Sequence, residues 1–115
     1  MEQEVTLTEE NFTNEVEEFD GVVLVDFWAS WCPPCRAMGP VIDKIAEENA
    51  GNAQIKICKL DVDANENLSR RFDARSIPTF LIFKNGRVVA TEIGIIAKER
   101  LQAHITNALT PAPAL

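Results

Sequence analysis

Cys32 and Cys35 are the residues of this chain best equipped for chemistry: two thiols with two residues between them, in the stretch Trp31-Cys32-Pro33-Pro34-Cys35. At that spacing they can close a small disulfide ring with little chain to order, so the pair can cycle between dithiol and disulfide. The competing chemistry is half of a zinc site. Zinc takes four ligands, commonly Cys and His, and the chain offers only Cys58 and His104 besides the pair, isolated from each other and from the motif. Ligand supply therefore favours redox. The motif stands where an apolar run ends and a helical pattern begins. A helix start presents unpaired N–H groups and the positive end of a dipole, which favours a thiolate on Cys32 and makes it the candidate nucleophile. Attack on a substrate disulfide gives a mixed disulfide, which Cys35, one turn further in and more shielded, resolves. Cys35 must lose a proton at that moment, and a buried base helps. Asp26 is the candidate base, a carboxylate interrupting an apolar strand, where desolvation should raise its pKa. From the residues alone, an Asp26 solvated at a strand end stays open.

The elements that must position these groups are legible in order. Val5-Thr6-Leu7 is a candidate edge strand, and Thr8 offers an oxygen to cap a helix from Glu9 to about Glu18 with Phe12, Val16 and Phe19 inward. After the Asp20-Gly21 turn, Val22 to Trp28 is a near-continuous apolar run, as expected of a central strand covered on both faces. A helix follows from Cys35 to about Glu48, with Pro40 inside it as a predicted kink, and Gly51 is a candidate left-handed cap. Ile55 to Val62 reads as a second buried strand, completing a βαβ unit. Glu66 to Phe72 is a short helix with Asp63 or Asn65 near its start, and Ser76-Ile77-Pro78 is an extended turn. Two strand patterns flank Asn85-Gly86, a hairpin signal. The last helix runs from about Lys98 to Leu109, and 110–115 reads as a flexible tail. The sum is an α/β fold, a mixed sheet of about five strands flanked by about four helices, with 1–109 as a single domain.

Composition bounds the function. The 115 residues are the size of one domain. The net charge of -7 argues against nucleic acid or an anionic membrane as partner, and no apolar run approaches the roughly 20 residues of a membrane helix. The acidic start Met1-Glu2-Gln3-Glu4 has no basic leader and apolar core, and three cysteines do not form a disulfide framework. The expected compartment is the reducing cytoplasm.

Five stretches, in this order, resemble the thioredoxin family: Val25-Asp26-Phe27-Trp28-Ala29, Trp31-Cys32-Pro33-Pro34-Cys35-Arg36, Lys59-Leu60-Asp61-Val62-Asp63, Ile77-Pro78-Thr79 and Phe83-Lys84-Asn85-Gly86. The resemblance covers nearly the whole chain. It implies a thioredoxin fold, reduction of protein disulfides, and recycling by a thioredoxin reductase. No bound cofactor is implied, because the Cys32–Cys35 pair carries the electrons, and nothing demands more than a monomer. Asp26 falls at the family's buried acid and Lys59 at the lysine near it, which opposes the upward shift. Pro78 falls at the family's cis-proline, with the backbone of Ile77 pairing with an extended substrate segment. Trp31, Ile77, Pro78, Gly94 and Ile95 then form an apolar docking surface around Cys32; from the residues alone, Gly94 is equally a strand-ending glycine.

The chain departs from the family pattern at three positions. Pro33 stands where glycine is commoner, removing one N–H that could donate to the thiolate and stiffening the loop, so the expected potential is at least as reducing as an ordinary thioredoxin's. Arg36 replaces a frequent lysine. Ile95 replaces a small residue and adds apolar surface. Elsewhere, Cys58 reads as a buried inert thiol, His104 as solvated on the polar side of its helix, and the acidic residues from Glu9 to Glu18 as a wet face. Beside the general reductant stand two alternatives: a thioredoxin-like protein dedicated to one partner, as specialised reductant or oxidase or isomerase, and a non-redox binding subunit.

Overall fold

The computed structural model describes residues 3–109; the expected tail, 110–115, lies outside the described residues. Five strands form one sheet: β1 (Glu4–Thr6), β2 (Val22–Trp28), β3 (Ile55–Asp61), β4 (Thr79–Lys84) and β5 (Arg87–Ile93), in the order β1-β3-β2-β4-β5. β1 and β2 pair with β3 in parallel, whereas β4 runs antiparallel to β2 and β5 antiparallel to β4. The apolar run therefore becomes the central strand, and its alternate residues serve two cores. Val23, Val25 and Phe27 face one layer, with Leu7, Phe12, Val16, Leu60 and Phe83. Val22 and Leu24 face the other, under α1 (Pro33–Asn49) and α3 (Lys98–Leu109), where Met38, Ile42, Ile45, Leu101 and Ile105 pack. Each such side chain, fully buried, contributes about 1.5–3 kcal/mol of transfer free energy.

The helix expected from Glu9 is shorter and wider than its periodicity implies. Thr8 and Asn11 cap each other, Thr8 N–H to Asn11 Oδ1 at 2.7 Å and Asn11 N–H to Thr8 Oγ1 at 3.2 Å, and a π-helical turn follows at Thr13–Glu17. Its acidic face is not simply wet: Glu15 accepts from Lys56 Nζ at 2.7 Å, and Glu17 pairs with Arg71. α1 runs unbroken through Pro40. Gly51 is absent from the left-handed region. The helix closes instead on short-range bonds from Ala50 N–H to Glu47 O and Asn52 N–H to Asn49 O. α2 (Glu66–Arg71) follows Asn65, whose side chain bonds the carbonyl of Asp61 and the N–H of Glu9 rather than the helix. The β4–β5 hairpin turns at Asn85 and Gly86, with φ of 50° and 81°, which is why Asn-Gly serves there. A Cβ on Gly86 would stand 2.4 Å from the carbonyl oxygen of Glu17.

His104 is half-buried and partnered rather than simply solvated. Its Nε2 lies 2.7 Å from Glu92 Oε2, which also accepts from Arg100 Nε, so a carboxylate on β5 ties down α3. Periodicity within one helix could not show a partner on a strand.

Candidate active site

The sulfurs lie at the C-terminal edge of the parallel strands, where β2 hands over to α1. Cys32 is the N-cap residue of α1, with Pro33 and Pro34 in its first turn. Proline suits a helix start because its missing N–H would have no helical partner there. The first free N–H is therefore that of Cys35, which donates to Cys32 Sγ at 3.2 Å. A sulfur thus does the capping work usually done by an oxygen. Cys32 and Cys35 are joined as a disulfide, their Cα atoms 5.2 Å apart. Arg36 clamps the loop from behind, its guanidinium donating to the carbonyl of Ser30 at 3.0 Å.

Burial does not separate the two cysteines, contrary to the sequence expectation: Cys32 is 3% exposed and Cys35 5%. Ala29, Trp28, Val62 and Ile77 pack around both. The Ile77–Pro78 peptide is cis, and the carbonyl oxygen of Ile77 lies 3.7 Å from Cys32 Sγ. Gly94 donates its N–H to the carbonyl of Pro78 at 2.9 Å, which brings the Gly94–Ile95 segment beside the Ile77–Pro78 loop. Gly94 has φ of 92°, a conformation that strains any side chain, although the space beside it is open. Trp31 and Ile95 remain 63% and 69% exposed, and Ile93 joins them at the end of β5. Large apolar side chains left this bare are a feature of interaction surfaces.

Asp26 lies two residues before the end of β2, the strand that leads to the disulfide, and directly opposite Lys59 of β3. It shares the sheet face of Leu24, the face covered by α1, which carries Cys35. Asp26 is 2% exposed, and its Oδ1 has no hydrogen-bond partner. Burial pushes its carboxyl up to about 7, and the Lys59 charge opposes that shift. The Lys59 ammonium lies over the Trp28 ring, 5.0 Å from its centroid. Cys58, buried in the middle of β3, has its thiol pushed up to about 12 by burial.

One contact escaped the sequence reading. Trp31 Nε1 donates to Asp63 Oδ2 at 2.8 Å. Asp63 is itself placed by its own N–H, which donates to Asp61 Oδ1 at 2.9 Å. The available signal was the parallel βαβ unit, which sets the residues following β2 and β3 side by side. Among the described residues no group of three or more His, Cys, Asp or Glu could hold a metal ion, and no helix is long and apolar enough to cross a membrane.

Comparison with known proteins agrees with this arrangement. The Thioredoxin family model matches residues 3–107. A thioredoxin of Pseudomonas aeruginosa is 41% identical over 101 residues, covering 88% of this chain and 92% of its own. One from Chlorobaculum thiosulfatiphilum is 46% identical, covering 85% and 89%, and one from Haemophilus influenzae 43%, covering 93% and 98%. With a sheet of this order, a disulfide at the start of α1 and relatives this similar over most of its length, the chain belongs to the thioredoxin family, and its Cys32–Cys35 pair makes it a thiol–disulfide oxidoreductase that reduces protein disulfides.

Proposed function

We propose that the chain is a general reductant of protein disulfides in which each site residue has a distinct task. The Cys32 thiolate attacks one sulfur of the substrate disulfide; that S–S bond breaks, one substrate thiolate leaves, and a mixed disulfide forms. Cys35 then attacks the Cys32 sulfur, releasing the second substrate thiolate and closing the Cys32–Cys35 bond. Two electrons pass to the substrate. Asp26 accepts the proton that Cys35 must lose, and its raised proton affinity suits that exchange near neutral pH. Lys59 limits how far that affinity rises. Pro33 and Pro34 fix the loop, while Trp31, Ile77, Pro78, Gly94 and Ile95 receive an extended substrate segment. A thioredoxin reductase returns the two electrons. The setting is a cytoplasmic monomer formed by a single domain over 1–109, with no nucleic-acid or membrane partner.

The observation that carries this reading is the Cys32–Cys35 disulfide at the N-cap of α1, beside exposed Trp31 and Ile95. Cys35→Ser should accumulate a stable mixed disulfide with a disulfide-bonded protein, joined through Cys32, and Cys32→Ser should form none. Continued protein reduction by Cys32→Ser would sink the assignment. The exposed Ile95 favours a second reading, a narrower partner set. Ile95→Ala should then broaden the range of proteins reduced, and an unchanged range removes that reading.

A further inference from the structure

Two buried side-chain oxygens among the described residues have no hydrogen-bond partner: Asp26 Oδ1 and Glu4 Oε1. They belong to one face of the sheet. Glu4 on β1 stands opposite Ile57 of β3, and Asp26 on β2 opposite Lys59. Ile57 and Lys59 are two residues apart and so point the same way. Ile57 and Leu24 both join the core under α1, which fixes the face. The two carboxyl-bearing strands are separated by β3 alone, about 10 Å from β1 to β2. From α1, Asp43 reaches the same edge, close enough for its carboxyl to share a proton with that of Glu4. Two carboxyl groups this close bond to each other only while one of them holds a proton. Burial first, then Asp43, holds the Glu4 carboxyl up at about 7; Lys59 opposes this, and the charge of Asp26 adds to it.

We propose that Glu4 is a positioning residue for the proton of Asp26: the Glu4–Asp43 carboxyl pair and Asp26 are linked across β3, so that ionisation of either side holds the proton on the other. This rests on the reading of Asp26 as the group that takes up the Cys35 proton. The link is reciprocal, because a charge that stabilises a proton elsewhere is itself stabilised by that proton. The ionisable groups facing Glu4 are Asp43 from α1, Lys59 from β3 and Asp26 from β2. Lys56 turns to the opposite face, where its ammonium binds Glu15. While Glu4 is protonated, Asp26 has Lys59 as its near charge and gives up its proton more readily. Once Glu4 ionises, a second negative charge raises the proton affinity of Asp26. Asp26 thereby goes on exchanging a proton to higher pH than an equally buried lone acid.

The test is the carboxyl carbon shift of Asp26 followed against pH in the oxidised parent, in Glu4→Gln and in Asp43→Asn. The parent curve should spread over two steps, as linked sites do. Glu4→Gln should give a single step with the proton-dissociation constant of Asp26 raised about fifteenfold, the size of one charge about 10 Å away at an effective dielectric constant of about 20. Asp43→Asn removes the group that keeps Glu4 protonated, so Glu4 ionises at lower pH and the Asp26 midpoint should move up instead. An Asp26 curve unmoved by Glu4→Gln overturns the proposal, and so does a fall in both variants, which general loosening of the edge strand would produce. The pH profile of disulfide reduction tests the underlying reading separately. If Asp26→Asn leaves that profile unchanged, the proton-acceptor role falls, while the link between the carboxyls is decided by the shifts alone.

Discussion

Trp31 and Asp63 lie 32 positions apart, yet indole and carboxylate meet in a 2.8 Å hydrogen bond. The pairing of Trp28 with Asp61 at the end of β2 and β3 brings the two following turns together. In the docking role proposed for Trp31, an exposed ring held at one angle presents the same apolar face to each substrate. Asp63→Ala should therefore lower kcat/KM for a protein disulfide about threefold, mainly through KM, as expected for the loss of one charge-assisted bond in solvent. Reduction of a small aromatic disulfide, which needs no such platform, should change little.

Asp26 makes stability depend on pH. Its carboxyl is raised from 3.8 to about 7 by burial, so the folded state binds more protons than the unfolded state between those values. The Asp26 contribution to stability should be most favourable below pH 4, fall as pH rises through 4 to 7, and level off above that, at a cost of about 2–4 kcal/mol for ionising the buried group. Asp26→Asn, which cannot ionise, should be more stable than the parent at pH 8 by about that amount. Urea titrations should find the advantage gone below pH 4.

Two consecutive prolines leave Cys35 as the first N–H donor of the helix, aimed at Cys32 Sγ. Pro33→Gly adds a donor and frees the loop, which stabilises the dithiolate side of the couple. The potential should rise by about 10–30 mV, the equivalent of about 0.5–1.5 kcal/mol for one hydrogen bond. Equilibration against a dithiothreitol couple measures it, and the parent should lie at or below the roughly -270 mV typical of the family.

Glu92 anchors α3 to β5 through Arg100 and His104, and those contacts hold its carboxyl below the usual carboxylate range, Arg100 contributing most. A depressed acid contributes stability at neutral pH that is lost as pH falls through the carboxylate range. Glu92→Gln should cost about 1 kcal/mol at pH 7. In thermal melts the gap between variant and parent should narrow as pH falls below the ordinary carboxylate range.

Where one segment carried its own signal, the sequence was a sufficient guide. The apolar run Val22–Trp28 became the central strand, Asn85-Gly86 the hairpin, and Cys32-x-x-Cys35 the disulfide. The misreadings arose where a partner arrives from another element. The spacing of Phe12, Val16 and Phe19 suits an α-helix and a π-turn alike, and the reciprocal Thr8–Asn11 cap delays the helical segment to Thr13. His104 looked solvated because Glu92 lies on a strand, and Asp63 looked like part of a helix start because Trp31 belongs to the other half of the βαβ unit. Glu4 read only as part of an acidic start, with the edge strand beginning at Val5, whereas it opens β1 and has Asp43 of α1 beside it.

The placement of Cys58 has a consequence for stoichiometry. It sits in β3 between Val5 and Val25 of the neighbouring strands, fully buried, with a thiol that burial keeps protonated far above physiological pH. A protonated, enclosed sulfur neither attacks a disulfide nor is attacked. The molecule therefore holds three cysteines but counts as a two-electron carrier with one interchangeable bond. Repeated turnover cannot shuffle that bond onto a wrong pair, and an oxidised population stays a single covalent species without crosslinked copies.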